Sequence, residues 1–233
     1  MEFKKTLIVS CNNLCSITTS KVKNLKGVNF TVLIPARGGS KRLQRKNIHP
    51  FLGKPMILWT IDACWRSRYV KKNSVFVSTD DEEIAKVCRN YGAEVFKRPV
   101  QQAQDKTPLI VVLRYFAKKC LLANAKERDA MICMQPNVPS RASDTLDRCI
   151  ELYLSSSRSE VRVYDQNGIE TGSVWIINLR HLFDKGLSTY MGAVIDPAIE
   201  VHTLEDLKKA EEKMQNFILK GGNRELCSQA RLF

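Results

Sequence analysis

The feature that most constrains this chain is a basic, glycine-containing turn placed directly after an apolar run. The run Phe30–Ile34 predicts a buried strand, and the residues that follow, up to Asn47, hold five Arg/Lys side chains and the adjacent Gly38 and Gly39. Adjacent glycines let backbone N–H groups approach an anion. The cations placed to neutralise a leaving pyrophosphate are Arg37, Lys41 and Lys46. The turn therefore predicts a phosphate site, with a solvated loop as the alternative, although its spacing fits neither a Walker loop nor G-x-G-x-x-G.

Strand and helix patterns alternate along the rest of the chain. Predicted strands lie at 74–79, 93–96, 130–134, 161–163 and 172–177, and predicted helices follow Pro55, Asp81, Thr107 and Ser143, with a last helix from the capping box at Thr203 to Leu219. Such alternation predicts parallel strands joined by right-handed crossovers. We therefore expect an α/β fold with a doubly wound, mostly parallel sheet of the Rossmann-like type and a ligand at the carboxyl ends of the strands.

The length and the cysteine usage bound the organisation of the chain. A chain of 233 residues is long enough for one α/β domain. We expect an N-terminal extension, disordered or loosely packed, over residues 1–29, the domain over 30–219 and a tail over 220–233. The eight cysteines form no C-x-x-C pair, which predicts reduced thiols and a cytoplasmic location. No apolar run approaches the ~20 residues that cross a bilayer, so we expect no membrane partner.

The positive charge is concentrated near the amino terminus. The formal net charge is +13, and the first fifty residues contain ten Lys/Arg side chains against the single acid Glu2. A basic face around a triphosphate explains this excess as well as a nucleic-acid surface does. No zinc-finger, RNP or helix-turn-helix pattern accompanies it, so nucleic acid is not the expected partner.

The order of the residues in the basic turn is more informative than its composition. The stretch IPARGGSKRLQRKN, from Ile34 to Asn47, closely resembles the signature of the CMP-sialic acid synthetase family, which includes the CMP-Kdo and CMP-pseudaminate enzymes. Further matching pieces follow in the family's order over residues 30–215: Gly53-Lys54-Pro55, Val77-Ser78-Thr79-Asp80, Arg98-Pro99 with Asp105, Gln135-Pro136, and Ala210-Glu211. Order and spacing together make a chance match improbable.

This resemblance implies a Rossmann-like nucleotidyltransferase fold and a specific reaction. A nonulosonic or related sugar acid would attack the α-phosphate of CTP, and pyrophosphate would leave with help from Mg²⁺. Carried over by position, the nucleotide-binding residues would be Arg37, Gly38, Gly39, Ser40, Lys41, Lys46, Asn47 and Arg98, with Arg98 beside the cytosine. The sugar acid would meet Gln135 and Arg141, and the catalytic residues would be Arg37, Lys46 and Gln135.

Two departures from the family pattern affect these expectations. The late Asp-x-Asp that holds magnesium in the family reads Glu200-Val201-His202 here, so we expect Glu200 with Asp196 as ligands, Asp80 as a further candidate, and His202 outside the ligand set. Only thirty residues separate Arg141 from Thr171, which implies that most of the family's dimerisation arm is missing and that its usual dimer does not form. A CTP-binding protein without turnover is the alternative to a cytidylyltransferase.

Overall fold

A central β-sheet organises the chain, whose computed structural model describes residues 8–9, 27–184 and 190–219. The strands of the described residues are β1 (Ile8–Val9), β2 (Phe30–Pro35), β3 (Pro50–Phe51), β4 (Lys54–Pro55), β5 (Val75–Thr79), β6 (Glu94–Lys97), β7 (Ala130–Cys133), β8 (Glu160–Tyr164), β9 (Glu170–Asn178) and β10 (Met191–Ile195). The helices are α1 (Met56–Trp65), α2 (Glu82–Asn90), α3 (Leu109–Cys120), α4 (Thr145–Leu154) and α5 (Leu204–Leu219). None of these helices is both long enough and apolar enough to cross a membrane.

The sheet is mostly parallel, as the sequence predicted. Its eight strands lie in the order β1-β10-β8-β9-β7-β2-β5-β6, and β3 and β4 form a separate antiparallel pair. Strand β9 runs antiparallel to β7 and β8, while the other neighbours in this sheet are parallel. The chain reverses between β8 and β9 because Asp165 Oδ1 accepts the N–H groups of Asn167 and Ile169, both at 2.8 Å, and Gly168 adopts φ 77°.

Helices cover both faces of the sheet, which makes the fold doubly wound. Helices α1, α2 and α4 contribute to one large apolar core with the strands, and α3 packs on the opposite face around Phe116. Helix α5 belongs to a third cluster with Phe51 and Trp59. In this cluster Glu211 Oε1 accepts the N–H of Leu52 at 2.8 Å, so α5 also holds the turn between β3 and β4.

Helix capping follows the sequence prediction at two places. The side chain of Asp81 accepts the N–H of Ile84 at 2.9 Å and caps α2. At α5, Thr203 Oγ1 accepts the N–H of Asp206 while Asp206 Oδ2 accepts the N–H of Thr203, which is a capping box. These caps place the beginning of each helix at the carboxyl-end edge of the sheet.

Two elements depart from the sequence predictions. Strand β10 was not predicted, because its Gly192 lowers strand propensity. A Cβ at Gly192 would lie 2.8 Å from both Leu152 Cδ2 and Arg158 Cδ, so these two side chains would have to move to accommodate it. Strand β1 pairs in parallel with β10, so part of the predicted extension 1–29 joins the sheet edge. The rest of residues 1–26 and the predicted tail 220–233 lie outside the described residues.

Candidate active site

A cavity of about 520 Å³ opens at the edge of the sheet where the parallel strands end. Backbone hydrogen bonds hold the loops that form it: the N–H of Ala36 donates to Ser78 O, and the N–H of Arg98 donates to Thr79 O. Three groups of residues line most of its wall: the basic loop after β2, the segment 98–112, and the loop after β7. The structure therefore brings the predicted phosphate loop to the predicted edge.

The basic loop, residues 37–47, is anchored from behind. Arg45 has a left-handed backbone with φ 55°, and its guanidinium donates to Asp81 Oδ2 at 2.6 Å and to Glu83. Asn47 is buried and its side-chain amide donates to Arg37 O at 2.8 Å. Asn47 also lines the cavity, as do the four loop cations other than Arg45, namely Arg37, Lys41, Arg42 and Lys46.

The two glycines of the loop have different roles. Gly38 N–H donates to Asp80 Oδ1 at 3.1 Å, and a Cβ at Gly38 would lie 2.9 Å from Asp81 Cβ. A Cβ at Gly39 would meet open space. The expectation that both glycines offer N–H groups to the nucleotide needs correction. The N–H of Gly38 already donates to Asp80, and the close contact with Asp81 leaves no room for a side chain at Gly38. Neither glycine lines the cavity.

The cations of the loop reach the cavity wall. Arg37, Lys41, Arg42 and Lys46 all line it, as does Ser40. Burial lowers the pKa of Lys46, and the nearby Glu200 carboxylate partly offsets that effect.

One acidic side chain lies on the wall of the cavity. Asp105 accepts hydrogen bonds from both Arg37 and Lys41, and these two partners lower its pKa. The carboxylate thereby occupies donors that a phosphate group would otherwise use.

Arg98 forms a buried part of the wall. Its guanidinium donates to Ser78 O at 2.6 Å and to Ser78 Oγ at 3.2 Å, and the residue is 5% exposed. Burial lowers its pKa, while the charge of Asp80 opposes that change. Arg98 is therefore a fixed, desolvated cation beside the basic loop, at the position predicted for contact with the base.

Gln135 and Arg141, which were predicted to meet the same substrate, are separated by the structure. Gln135 lines the cavity, whereas Arg141 is buried beneath it and does not. The Arg141 guanidinium donates to Gln135 O at 2.8 Å and to Thr60 Oγ1 at 2.9 Å, and burial lowers its pKa to about 10. The expectation for Arg141 is corrected accordingly: it holds the backbone of Gln135 and has no face toward a substrate.

Asp196, one of the predicted magnesium ligands, lies in the interior. It is 1% exposed, and its carboxylate accepts hydrogen bonds from Thr145 Oγ1 at 2.7 Å, Ala142 N at 3.3 Å and Ala198 N at 3.2 Å. It does not line the cavity. Asp196 therefore fixes the amino terminus of α4, and the metal role predicted for it does not fit this position.

Glu200, the expected magnesium ligand, and its neighbour His202 differ in their position relative to the cavity. Glu200 Oε1 accepts the N–H of Gly172, and its Oε2 lies 3.0 Å from His202 Nε2. His202 lines the cavity, whereas Glu200 does not. Among the residues that the structure describes, no group of three or more His, Cys, Asp or Glu is placed to hold a metal ion. The one carboxylate among the described lining residues, that of Asp105, is already paired with Arg37 and Lys41, so the wall presents no unpaired carboxylate to Mg²⁺.

Several wall residues escaped the sequence analysis. They are the amides and apolar side chains of the segment after Arg98, namely Gln102, Gln104, Leu109 and Val112, together with Asn137. Single amides carry no periodic signal, and apolar residues of a helix such as Leu109 and Val112 carry no signal of a ligand. A wall of amides and aliphatic groups beside the cations suits a nucleobase or a sugar.

Comparisons with known proteins identify the family of the chain. A family model described as cytidylyltransferase matches residues 31–171. The chain is 38% identical over 130 residues to an N-acylneuraminate cytidylyltransferase A of Danio rerio, which covers 56% of this chain and 29% of the relative. It is 35% identical over 125 residues to a pseudaminic acid cytidylyltransferase of Campylobacter jejuni, covering 53% of each. The chain thus spans about half or less of the length of these curated relatives.

Solved structures show the same fold. A CMP:2-keto-3-deoxy-manno-octonic acid synthetase complexed with CTP superposes with a TM-score of 0.64 at 15% identity, covering 81% of this chain and 99% of that one. A cytidylyltransferase from Leptospira borgpetersenii gives a TM-score of 0.64 at 18% identity, covering 82% and 88%. At such identities the likeness concerns the fold alone.

The two glycines of the loop provide a matched test of its geometry. We expect Gly38→Ala to destabilise the fold by ~1–3 kcal/mol and to weaken the binding of inorganic pyrophosphate, because the new Cβ displaces Asp81, which Arg45 and α2 also hold. Gly39→Ala, with open space around its Cβ, is the control and should change neither quantity measurably. Chemical denaturation and calorimetry measure both. Equal effects of the two substitutions would contradict the described packing.

Proposed function

Because the chain belongs to the cytidylyltransferase family, we propose that it transfers CMP from CTP to a nonulosonic or related sugar acid and releases pyrophosphate. The observation that carries the proposal is the cavity wall of Arg37, Lys41 and Lys46 at the carboxyl end of β2. The names of the curated relatives, which act on N-acylneuraminate and pseudaminic acid, support the acceptor class. So does a CMP-N,N'-diacetyllegionaminic acid synthase of Legionella pneumophila, 34% identical over 137 residues.

The proposed reaction is a substitution at the α-phosphorus. A hydroxyl oxygen of the acid forms a bond to this phosphorus, the bond to the bridging oxygen of pyrophosphate breaks, and the hydroxyl proton passes to solvent. Negative charge grows on the departing pyrophosphate. Fixed cations aimed at that charge stabilise the transition state more than the ground state, and Arg37, Lys41 and Lys46 are placed for this role.

The remaining wall residues orient the two substrates. We assign Arg98 and Asn47 to the nucleoside end, where buried and fixed side chains position the base. We assign Gln135 to the sugar acid, with Arg141 holding its backbone from below. Mg²⁺ would enter on the phosphates of CTP, where it supplies charge neutralisation.

Assembly and location complete the proposal. Between Arg141 and Thr171 the chain passes through α4 and β8 into β9, and no projecting arm lies among these described residues. We therefore expect that the chain does not form the dimer built by the family's arm. A dimer in light scattering, together with a crystal structure whose dimer interface lies within residues 143–172, would contradict this.

We place the protein in the cytoplasm, consistent with the free, buried thiols of Cys64, Cys133 and Cys149.

Substitution of the loop cations tests the nucleotide site. Arg37→Ala and Lys46→Ala should each weaken CTP binding by ~1.5–3 kcal/mol, because each removes a charge-assisted contact to a phosphate. Calorimetry measures the loss. Arg89→Ala, whose side chain pairs with Glu82 on the exposed surface of α2, is the control and should bind CTP normally. Unchanged affinity in both loop variants would refute the assignment of the basic loop.

Turnover is tested separately from binding. Pyrophosphate release should require CTP in preference to the other nucleoside triphosphates, and should depend on one member of a panel of nonulosonic acids. Arg37→Ala should reduce kcat/KM in the same assay. CTP binding without release for any acid would favour a CTP-binding protein without turnover.

A further inference from the structure

The charges on the cavity wall are unequal in sign. Five Arg/Lys side chains line it, namely Arg37, Lys41, Arg42, Lys46 and Arg98. Asp105 is the one acidic residue among the lining residues that the structure describes, and Arg37 and Lys41 already engage it. The wall therefore offers many donors to an anion, whereas its one carboxylate is already paired with two cations.

Two acids near the wall, Glu200 and Asp80, already accept hydrogen bonds from other groups. Glu200 lies behind His202, with one oxygen on the Gly172 N–H and the other on the imidazole. Asp80 lies behind the loop, where its Oδ1 accepts the Gly38 N–H. The group that reaches the cavity from this side is thus the imidazole of His202, and Mg²⁺ strongly prefers oxygen ligands over imidazole nitrogen.

We infer that this site holds the triphosphate of CTP through its own side-chain cations, and that no side chain of the described pocket ligates the magnesium ion. The inference rests on the proposed function and refines it. A magnesium ion that enters with the nucleotide is ligated only by phosphate oxygens and water. The cations Arg37, Lys41, Arg42 and Lys46 supply the charge neutralisation that a protein-held metal would otherwise give.

This arrangement has a measurable consequence for affinity. A magnesium ion on the triphosphate reduces its negative charge and so weakens its attraction to the cations of the wall. The one carboxylate of the described wall, that of Asp105, is engaged by Arg37 and Lys41 and is not offered to the ion in return. Free CTP should therefore bind at least as tightly as its magnesium complex, whereas a site with protein ligands to the metal binds the magnesium complex better.

Calorimetry of CTP binding in excess Mg²⁺ and in EDTA tests the inference. We expect the Kd in EDTA to be equal to or smaller than the Kd in Mg²⁺, by up to about tenfold. A Kd that is larger in EDTA than in Mg²⁺ would overturn the inference while leaving the proposed function intact. Absence of binding in both buffers would overturn the proposed function and the inference together.

Manganese provides a readout that does not depend on CTP. In the absence of nucleotide, the electron paramagnetic resonance signal of free Mn²⁺ should stay undiminished when the wild-type protein is added. Loss of the signal in the wild type, with its return in Glu200→Gln, would identify Glu200 as a metal ligand and overturn the inference.

A gain-of-function pair completes the test. His202→Asp places a carboxylate at the wall beside the freed Glu200 and should bind Mn²⁺, whereas His202→Asn, which adds no charge, should not. Failure of His202→Asp to bind Mn²⁺, with its fold intact by circular dichroism, would contradict the view that missing carboxylates at this wall set its metal affinity.

Discussion

The carboxylate of Asp81 is the contact on which the basic loop depends. It caps α2 through the Ile84 N–H, accepts two hydrogen bonds from Arg45, and packs against Gly38. Its pKa is lowered by the hydrogen bonds from Arg45 and the Ile84 N–H, which together outweigh the opposing effect of burial. Five cations within a short loop repel one another, so a fixed acid behind the loop is needed to hold it against the sheet.

This anchoring separates the side chain that binds behind the loop from the side chains that face the cavity. The guanidinium of Arg45 binds Asp81 and does not line the cavity, while the amide of Asn47 holds the Arg37 carbonyl at the wall. The cations left over, Arg37, Lys41, Arg42 and Lys46, face the cavity. A rigid support thus turns a repulsive cluster into a preorganised anion site, which costs little further ordering when the nucleotide binds.

The sequence predicted those parts of the fold that local patterns determine. Apolar runs identified β2 and β7, Asp81 and Thr203 identified helix beginnings, and Asp165 to Gly168 identified the hairpin turn. The mostly parallel, doubly wound sheet followed from the alternation of these elements.

The remaining features depend on contacts between distant segments. Strand β10 contains Gly192, which lies close to the side chain of Leu152 in α4, and this contact is known only from the folded structure. The direction of Arg141, beneath Gln135 instead of into the cavity, depends on Thr60 and Ser173 from other elements. Likewise, which member of the Glu200 and His202 pair reaches the cavity depends on the Gly172 N–H of β9. Residue type alone cannot give these orientations.

We propose that the loop from Arg37 to Asn47 binds the triphosphate of CTP at the carboxyl end of β2. A crystal structure of the protein grown with CTP tests this proposal most directly. We expect phosphate oxygens within hydrogen-bond distance of Arg37, Lys41 and Lys46, the side chain of Asp105 displaced from its two partners, and the cytosine on the Arg98 side of the cavity. Phosphates bound elsewhere, with the bonds of Asp105 to Arg37 and Lys41 intact, would contradict it.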